Sequence, residues 1–304
     1  TTGSLVVTLE ALKEMHLTPE DIQLIQNDTK TCPDTGMAGA SRSLYMDGNA
    51  TIIAANKLLA AMRKEDGTLR TYDEMKAEGI ETKYLGRYET NTTPGLCRLD
   101  PNTGIGDPTP AFTYCLNLAE VEVDTKTGKT TVLKFTCVDF VGRIGNIDAV
   151  NGQAYSGIMH GIGFALKEDY ADVKKHANMF GAGTSYIKDV PDDINLIHID
   201  GAISDGPFGS SGASEAFQAS GHCAVLNGIY NACGVRIHEI PALPEKVKAG
   251  LDAIAKGEKP YEPKKYFLGS DMYEELENIK ENPVQVGTQS FYVSLDDPTA
   301  ERPF

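Results

Sequence analysis

Two glycine-rich segments carry the residue types most capable of chemistry. The first runs Asp205-Gly206-Pro207-Phe208-Gly209-Ser210-Ser211-Gly212-Ala213-Ser214-Glu215 and delivers a carboxylate directly after a loop of small residues. The spacing predicts a helix from about Ser214 to Cys233, so Glu215 admits two readings. An acidic side chain in a helix's first turn complements the helix dipole. A carboxylate pushed by a loop into a pocket can also serve as a general base. The second segment, Thr35-Gly36-Met37-Ala38-Gly39-Ala40-Ser41-Arg42-Ser43, stands directly before a predicted long helix. Small side chains let backbone N–H groups approach an anion, and the helix N-terminus favours negative charge there. Loops of this composition also precede helices that bind nothing.

Other candidates fall away on spacing. Gly128-Lys129-Thr130 resembles the end of a phosphate loop, but Val123 stands where that motif needs its first glycine, and the tripeptide closes a hairpin. The six histidines form no H-E-x-x-H pair, and none has a second metal-ligand candidate at helical spacing. His222 and Cys223 are adjacent on a predicted helix and point about 100° apart, so they do not face each other. The six cysteines include no C-x-x-C pair, so neither an iron–sulfur nor a structural zinc pattern is present, and reduced thiols of a cytoplasmic protein are expected.

The elements that must position these segments follow from periodicity. Leu5, Leu9 and Leu12 predict a helix within 4–15; the apolar run Ile22-Gln23-Leu24-Ile25 predicts a short strand. A long helix is predicted from Ser43 to Met62, with Met46, Ala50, Ile53, Lys57 and Ala61 along one face. Thr71 to Glu74 forms a capping box opening a short helix. Residues 91–110, with four prolines, read as a connection. Alternation over Tyr114–Val123, a turn at 124–128 and a return through Thr130–Asp139 predict a hairpin. A helix over 148–167 contains Gly152, Gly157, Gly161 and Gly163, each costing about 1 kcal/mol against alanine unless a backbone or ligand packs close. A strand over 194–199, a helix ending at Ala255 and a small helix near 271–280 complete the order. This mixture of helices and hairpins argues for an α+β fold.

At 304 residues, with 28 Lys plus Arg against 43 Asp plus Glu, the chain carries a formal charge of −15. That sign repels phosphate backbones and anionic bilayers, so neither nucleic acid nor membrane is an expected partner. No apolar run reaches the roughly 18 residues of a spanning helix, and no signal-peptide pattern is visible. The chain opens on Thr1 in what reads as the middle of a helix, as expected of a processed subunit or a fragment.

Taken together, Ala40-Ser41-x-Ser43 before a long helix, the hairpin, Gly152-Gln153 in a glycine-rich helix, Gly209 to Glu215, and Gly234-Val235-Arg236-Ile237 leading to Leu243-Pro244 resemble the molybdenum hydroxylases, the xanthine oxidase and aldehyde oxidoreductase group. The likeness is greatest to bacterial aldehyde oxidoreductases. It covers residues 1–255 and corresponds to the carboxyl-terminal half of the molybdopterin-binding domain, two interleaved subdomains joined near 91–110. Residues 256–304 are an acidic C-terminal extension outside the pattern. The resemblance implies a molybdenum-dependent oxidoreductase that oxidises an aldehyde or N-heterocycle with oxygen from water, with Glu215 as base at the molybdenum centre. It implies a molybdopterin cofactor, as the cytosine dinucleotide, held by Gly39, Ala40, Ser41, Arg42, Ser43, Gln153, Ser211, Gly212, Ala213 and Ser214. Gly39 and Ala40 would stay small to clear the metal, Gln153 would meet a pterin edge, and Arg42 would meet phosphates. No residue of this chain is expected to ligate the metal. The remaining half of the molybdenum domain and the [2Fe–2S] clusters would lie in other domains or chains, and the substrate is a small molecule. A divided domain would also leave a large apolar patch to be covered by another chain. The sequence departs from the family at Ser214, where glycine is usual before the glutamate. The alternative is a structural or assembly subunit that kept the fold without the cofactor.

Overall fold

The computed structural model describes residues 2–89 except 27 and 37, residues 105, 106 and 109, residues 111–259 except 173 and 204, and residues 277, 278 and 281. The chain divides into two units, Thr1–Pro260 and Tyr261–Phe304. The expected connection over 91–110 and the small helix near 271–280 lie almost wholly outside the described residues. No helix among the described residues is long and apolar enough to cross a membrane.

Six α-helices and three strands, with four short 3-10 helices between them, are described in the first unit: α1 (Thr2–Ala11), α2 (Ser43–Met62), α3 (Tyr72–Ala77), β1 (Tyr114–Val123), β2 (Thr130–Phe140), α4 (Ile147–Leu166), β3 (Asp193–His198), α5 (Gly221–Cys233) and α6 (Pro244–Ala255). The sheet has order β1-β2-β3, with β1 antiparallel and β3 parallel to β2. Alternation across the hairpin aims Phe135 and Cys137 inward, both fully buried. They join Ile158 and Ile162 of α4 and Val225 and Ile229 of α5 in the main core. A smaller cluster of Leu12, Ala55 and Leu59 holds α1 against α2.

The glycines of α4 have the cause expected of them at two positions. A Cβ on Gly157 would stand 2.5 Å from the Phe217 Cβ and 2.8 Å from its carbonyl carbon, and one on Gly161 only 2.9 Å from the Gly221 Cα. Helices α4 and α5 therefore meet backbone to backbone. Gly152 has nothing within 4 Å of its absent side chain. A buried polar junction also fixes α4 on the sheet. His198 Nδ1 lies 2.7 Å from Asp139 Oδ2, and its Nε2 lies 2.8 Å from Asn151 Oδ1. Burial raises the Asp139 carboxyl above the usual range, and the neighbouring imidazole opposes that shift.

Three local expectations are corrected. Residues 22–25 form no strand: Leu24 and Ile25 are exposed and find no partner strand to satisfy their backbone. Helix α2 has the predicted ends but buries Tyr45, Gly48, Ala55, Leu59 and Met62, leaving Lys57 in solvent. The helix expected from Ser214 begins only at Gly221, and residues 214–220 are successive turns.

Candidate functional site

The two glycine-rich segments, far apart in sequence, meet in space. Ser41 Oγ donates to Glu215 Oε2 at 2.8 Å and accepts from the Glu215 backbone N–H at 2.9 Å. A Cβ on Gly212 would fall 1.6 Å from the Ser41 carbonyl oxygen, so only glycine lets the loops approach this closely. Ala40 and Ser41 occupy left-handed backbone at φ +51° and +54°. Each costs roughly 1–2 kcal/mol for a residue with a side chain. The contacts from 212 and 215 are what hold this strained turn in place.

Beside this junction lies a cavity of about 710 Å³, within the ~300–1,000 Å³ usual for small-molecule sites. Of the residues singled out in the sequence, Ser41, Ser43, Gln153, Ser211, Gly212, Ala213 and Ser214 line it. Gly39, Ala40, Arg42 and Glu215 do not. The Gly39 carbonyl accepts from the Arg42 N–H at 3.2 Å and so closes the turn that aims Ser41 inward. Arg42 is exposed, and its charge acts on Asp47, whose carboxyl is raised by burial and partly restored by that guanidinium. Glu215 is exposed at the rim, and its Oε1 has no hydrogen-bond partner among the described residues. Because α5 starts six residues later, Glu215 is not in a helix's first turn, and the helix-dipole reading of it fails. Ser214 lies outside the left-handed region, so the serine fits where glycine was expected.

The sequence reading missed one wall of the cavity. Arg143, Gly145 and Asn146 line it at the N-terminus of α4, and Asn146 caps that helix by accepting from the Ala149 N–H at 2.9 Å. The polar Asn146 just ahead of an apolar-periodic run was the available signal. The chain at Arg143 is fixed by the Gly209 loop: its N–H donates to the Gly209 carbonyl at 2.8 Å, and its own carbonyl accepts from Ser210 Oγ at 2.7 Å. Helix α1 contributes Gly3, Ser4 and Glu10 to the lining, and α2 contributes Asp47. The site thus offers hydroxyls, exposed backbone at small residues, an arginine and a helix N-terminus. That set suits a polar ligand bearing phosphate groups. No cluster of three or more metal-ligating side chains occurs among the described residues.

Comparison with known proteins agrees with this arrangement. Residues 2–191 match the molybdopterin cofactor-binding domain family. The aldehyde oxidoreductase of Megalodesulfovibrio gigas is 43% identical over 244 residues, covering 80% of this chain and 27% of that protein. A probable hypoxanthine oxidase of Escherichia coli K12 is 28% identical over 264 residues, covering 82% of this chain and 28% of its own length. The crystal structure of the aldehyde oxidoreductase from Desulfovibrio desulfuricans superposes with a TM-score of 0.76 at 46% identity, covering 81% of this chain and 27% of that one. The chain spans about a quarter of the length of these relatives. With a family match over more than half its residues, this chain belongs to the molybdopterin cofactor-binding domain family.

Proposed function

We propose that the chain is the carboxyl-terminal half of the catalytic domain of a molybdenum hydroxylase that oxidises an aldehyde or N-heterocycle, with Glu215 as its general base. The observation that carries this reading is the Ser41–Glu215 junction. It brings the one carboxylate that the sequence singled out against Ser41, which lines the cavity together with Ser43, Gln153, Ser211, Gly212, Ala213 and Ser214.

The residues at hand fit a molybdopterin cofactor, and in this reading it takes the cytosine dinucleotide form. Ser41, Ser43 and Ser211 offer hydroxyls, Gly212 and Ala213 allow close approach of backbone, and Gln153 offers an amide that both donates and accepts. In this reading the phosphate groups would be met by the N-terminus of α4 and by Arg143, which lines the cavity there, with Arg42 as the other arginine available to them. When bound, the cofactor supplies a two-electron oxidation with oxygen drawn from water. Glu215 takes and releases a proton at Oε1 while Ser41 and the Glu215 backbone N–H fix the orientation of the carboxylate. The remaining part of the molybdenum domain and iron–sulfur domains or subunits complete the enzyme. The extent of the match, about a quarter of the relatives' length, supports that division.

Glu215→Gln in the assembled enzyme tests the assignment. It preserves size and the bond from Ser41 but accepts no proton, and turnover is expected to fall about 10²–10⁴-fold. Molybdenum content and melting temperature should stay at parent values. A fully loaded variant with near-normal turnover ends the catalytic reading of Glu215.

A further inference from the structure

Among the described residues, no helix packs on the face of the sheet turned away from α4 and α5, and its β1 side chains are exposed while those of β2 are half-buried. The strand register places its side chains in rows: Tyr114 beside Phe140; Leu116 beside Val138 and Ile197; Leu118 beside Thr136 and Asn195; Glu120 beside Lys134 and Asp193. Tyr114, Leu116 and Leu118 are exposed by 64%, 63% and 57%, and Ile197 by 43%. The Tyr114 and Phe140 rings lie 6.3 Å apart and extend the apolar surface to the end of the hairpin. A pair of parallel strands is normally covered on both faces, yet β2 and β3 here are covered on one. Monomers seldom leave a contiguous apolar surface of this kind in water.

We propose that this outer sheet face is the docking surface for the rest of the molybdenum-domain polypeptide, through an apolar surface flanked by basic side chains. The inference rests on the functional reading above and names its partner's contact. Three observations favour this occupant. The relatives carry almost three quarters of their length beyond what this chain matches, which supplies a large partner. The apolar rows end in Glu120, Lys134 and Asp193, with Lys134 held to Asp193 at 3.1 Å, so the row keeps an unbalanced negative charge that basic groups would complement. A second copy of the chain, itself at −15, offers the wrong sign for that edge.

Hydroxyl-radical footprinting of the 304-residue chain, alone and assembled with the remaining polypeptide supplied as a second chain, tests the surface. Tyr114, Leu116 and Leu118 should label strongly in the chain alone and at least tenfold more weakly in the assembly. Equal labelling in both states overturns the proposal. Protection already present in the chain alone overturns it in favour of self-coverage, and sedimentation then identifies or excludes a second copy. Leu116→Arg should cut recovery of the partner polypeptide at least tenfold and leave the melting temperature of the chain alone unchanged, because the side chain is exposed. Undiminished recovery also counts against the surface. Molybdenum content measured on the same assembly separates the two claims: a protected interface without metal refutes the cofactor reading and leaves the docking face standing.

Discussion

Gly212→Ala is the sharpest test of the close junction between the two loops. The added Cβ would stand 1.6 Å from the Ser41 carbonyl oxygen and 2.6 Å from its carbon, both backbone atoms with no rotamer to turn away. A tolerable contact of about 3 Å requires the loops to part by roughly 1.4 Å. That movement carries the 2.8 Å bond from Ser41 Oγ to Glu215 beyond hydrogen-bonding range. Overpacking of this kind costs about 1–3 kcal/mol. The two lost hydrogen bonds add roughly 0.5 kcal/mol each, the low end of the scale because water reaches Glu215. The sum, about 2–4 kcal/mol, corresponds to a melting point lower by roughly 5–15 °C for a unit of this size. Differential scanning calorimetry reads the whole, and hydrogen exchange over 39–43 and 211–215 locates it. A variant melting within 1 °C of the parent with unchanged exchange in both loops would refute the reasoning.

The same substitution should change sign along α4. Gly152→Ala, with nothing within 4 Å, should raise stability by up to about 1 kcal/mol, whereas Gly157→Ala, against the Phe217 backbone, should lower the melting temperature. Glu74 is held at a pKa of about 2 by Lys64 and by the Thr71 N–H and hydroxyl at the cap of α3. Its folded value is depressed, so its stabilisation is complete above the unfolded value near 4.5 and is lost as pH falls toward 2. Glu74→Gln should therefore flatten the decline of stability across that window, read by urea titrations at successive pH. The Cys115 and Cys137 sulfurs lie 3.3 Å apart; the hydrogen bond from Cys137 holds the Cys115 thiol below its ordinary pKa, while the Cys137 thiol is pushed up. Iodoacetamide followed by peptide mass analysis should find Cys115 modified and the fully buried Cys137 spared.

Periodicity was a sound guide wherever an element makes its own pattern. Both ends of α2 and the turn of the hairpin could be read because the small-residue loop, the 124–128 turn and the alternation are all local signals. The buried face of α2 was not legible, since Tyr45 and Leu59 go inward only because α1 and the Pro207 turn lie on that side. Ile22–Ile25 had a strand's composition, but strand formation needs a neighbour that no local pattern can report. The start of α5 was misplaced for a related reason. Phe217 is drawn wholly into the core beneath Gly157, and turns at 214–220 deliver it there. In the site, each glycine-rich loop and the helix start after Asn146 were visible by themselves, while their meeting around one cavity, with Arg143 beside them, came only from the fold.

The bond between Ser41 and Glu215 closes a loop of 174 residues. Closing a flexible chain of that length costs about 4–5 kcal/mol in entropy, several times what two hydrogen bonds at a wet rim return. The junction therefore cannot form by local encounter. It exists only once the sheet, α4 and α5 have already brought positions 41 and 215 together, and a single proteolytic cut between them that loosened this scaffold would dissolve it while leaving both short motifs chemically intact. The bond is in effect a readout of the finished fold, and a probe placed at Ser41 would report the integrity of the whole intervening chain.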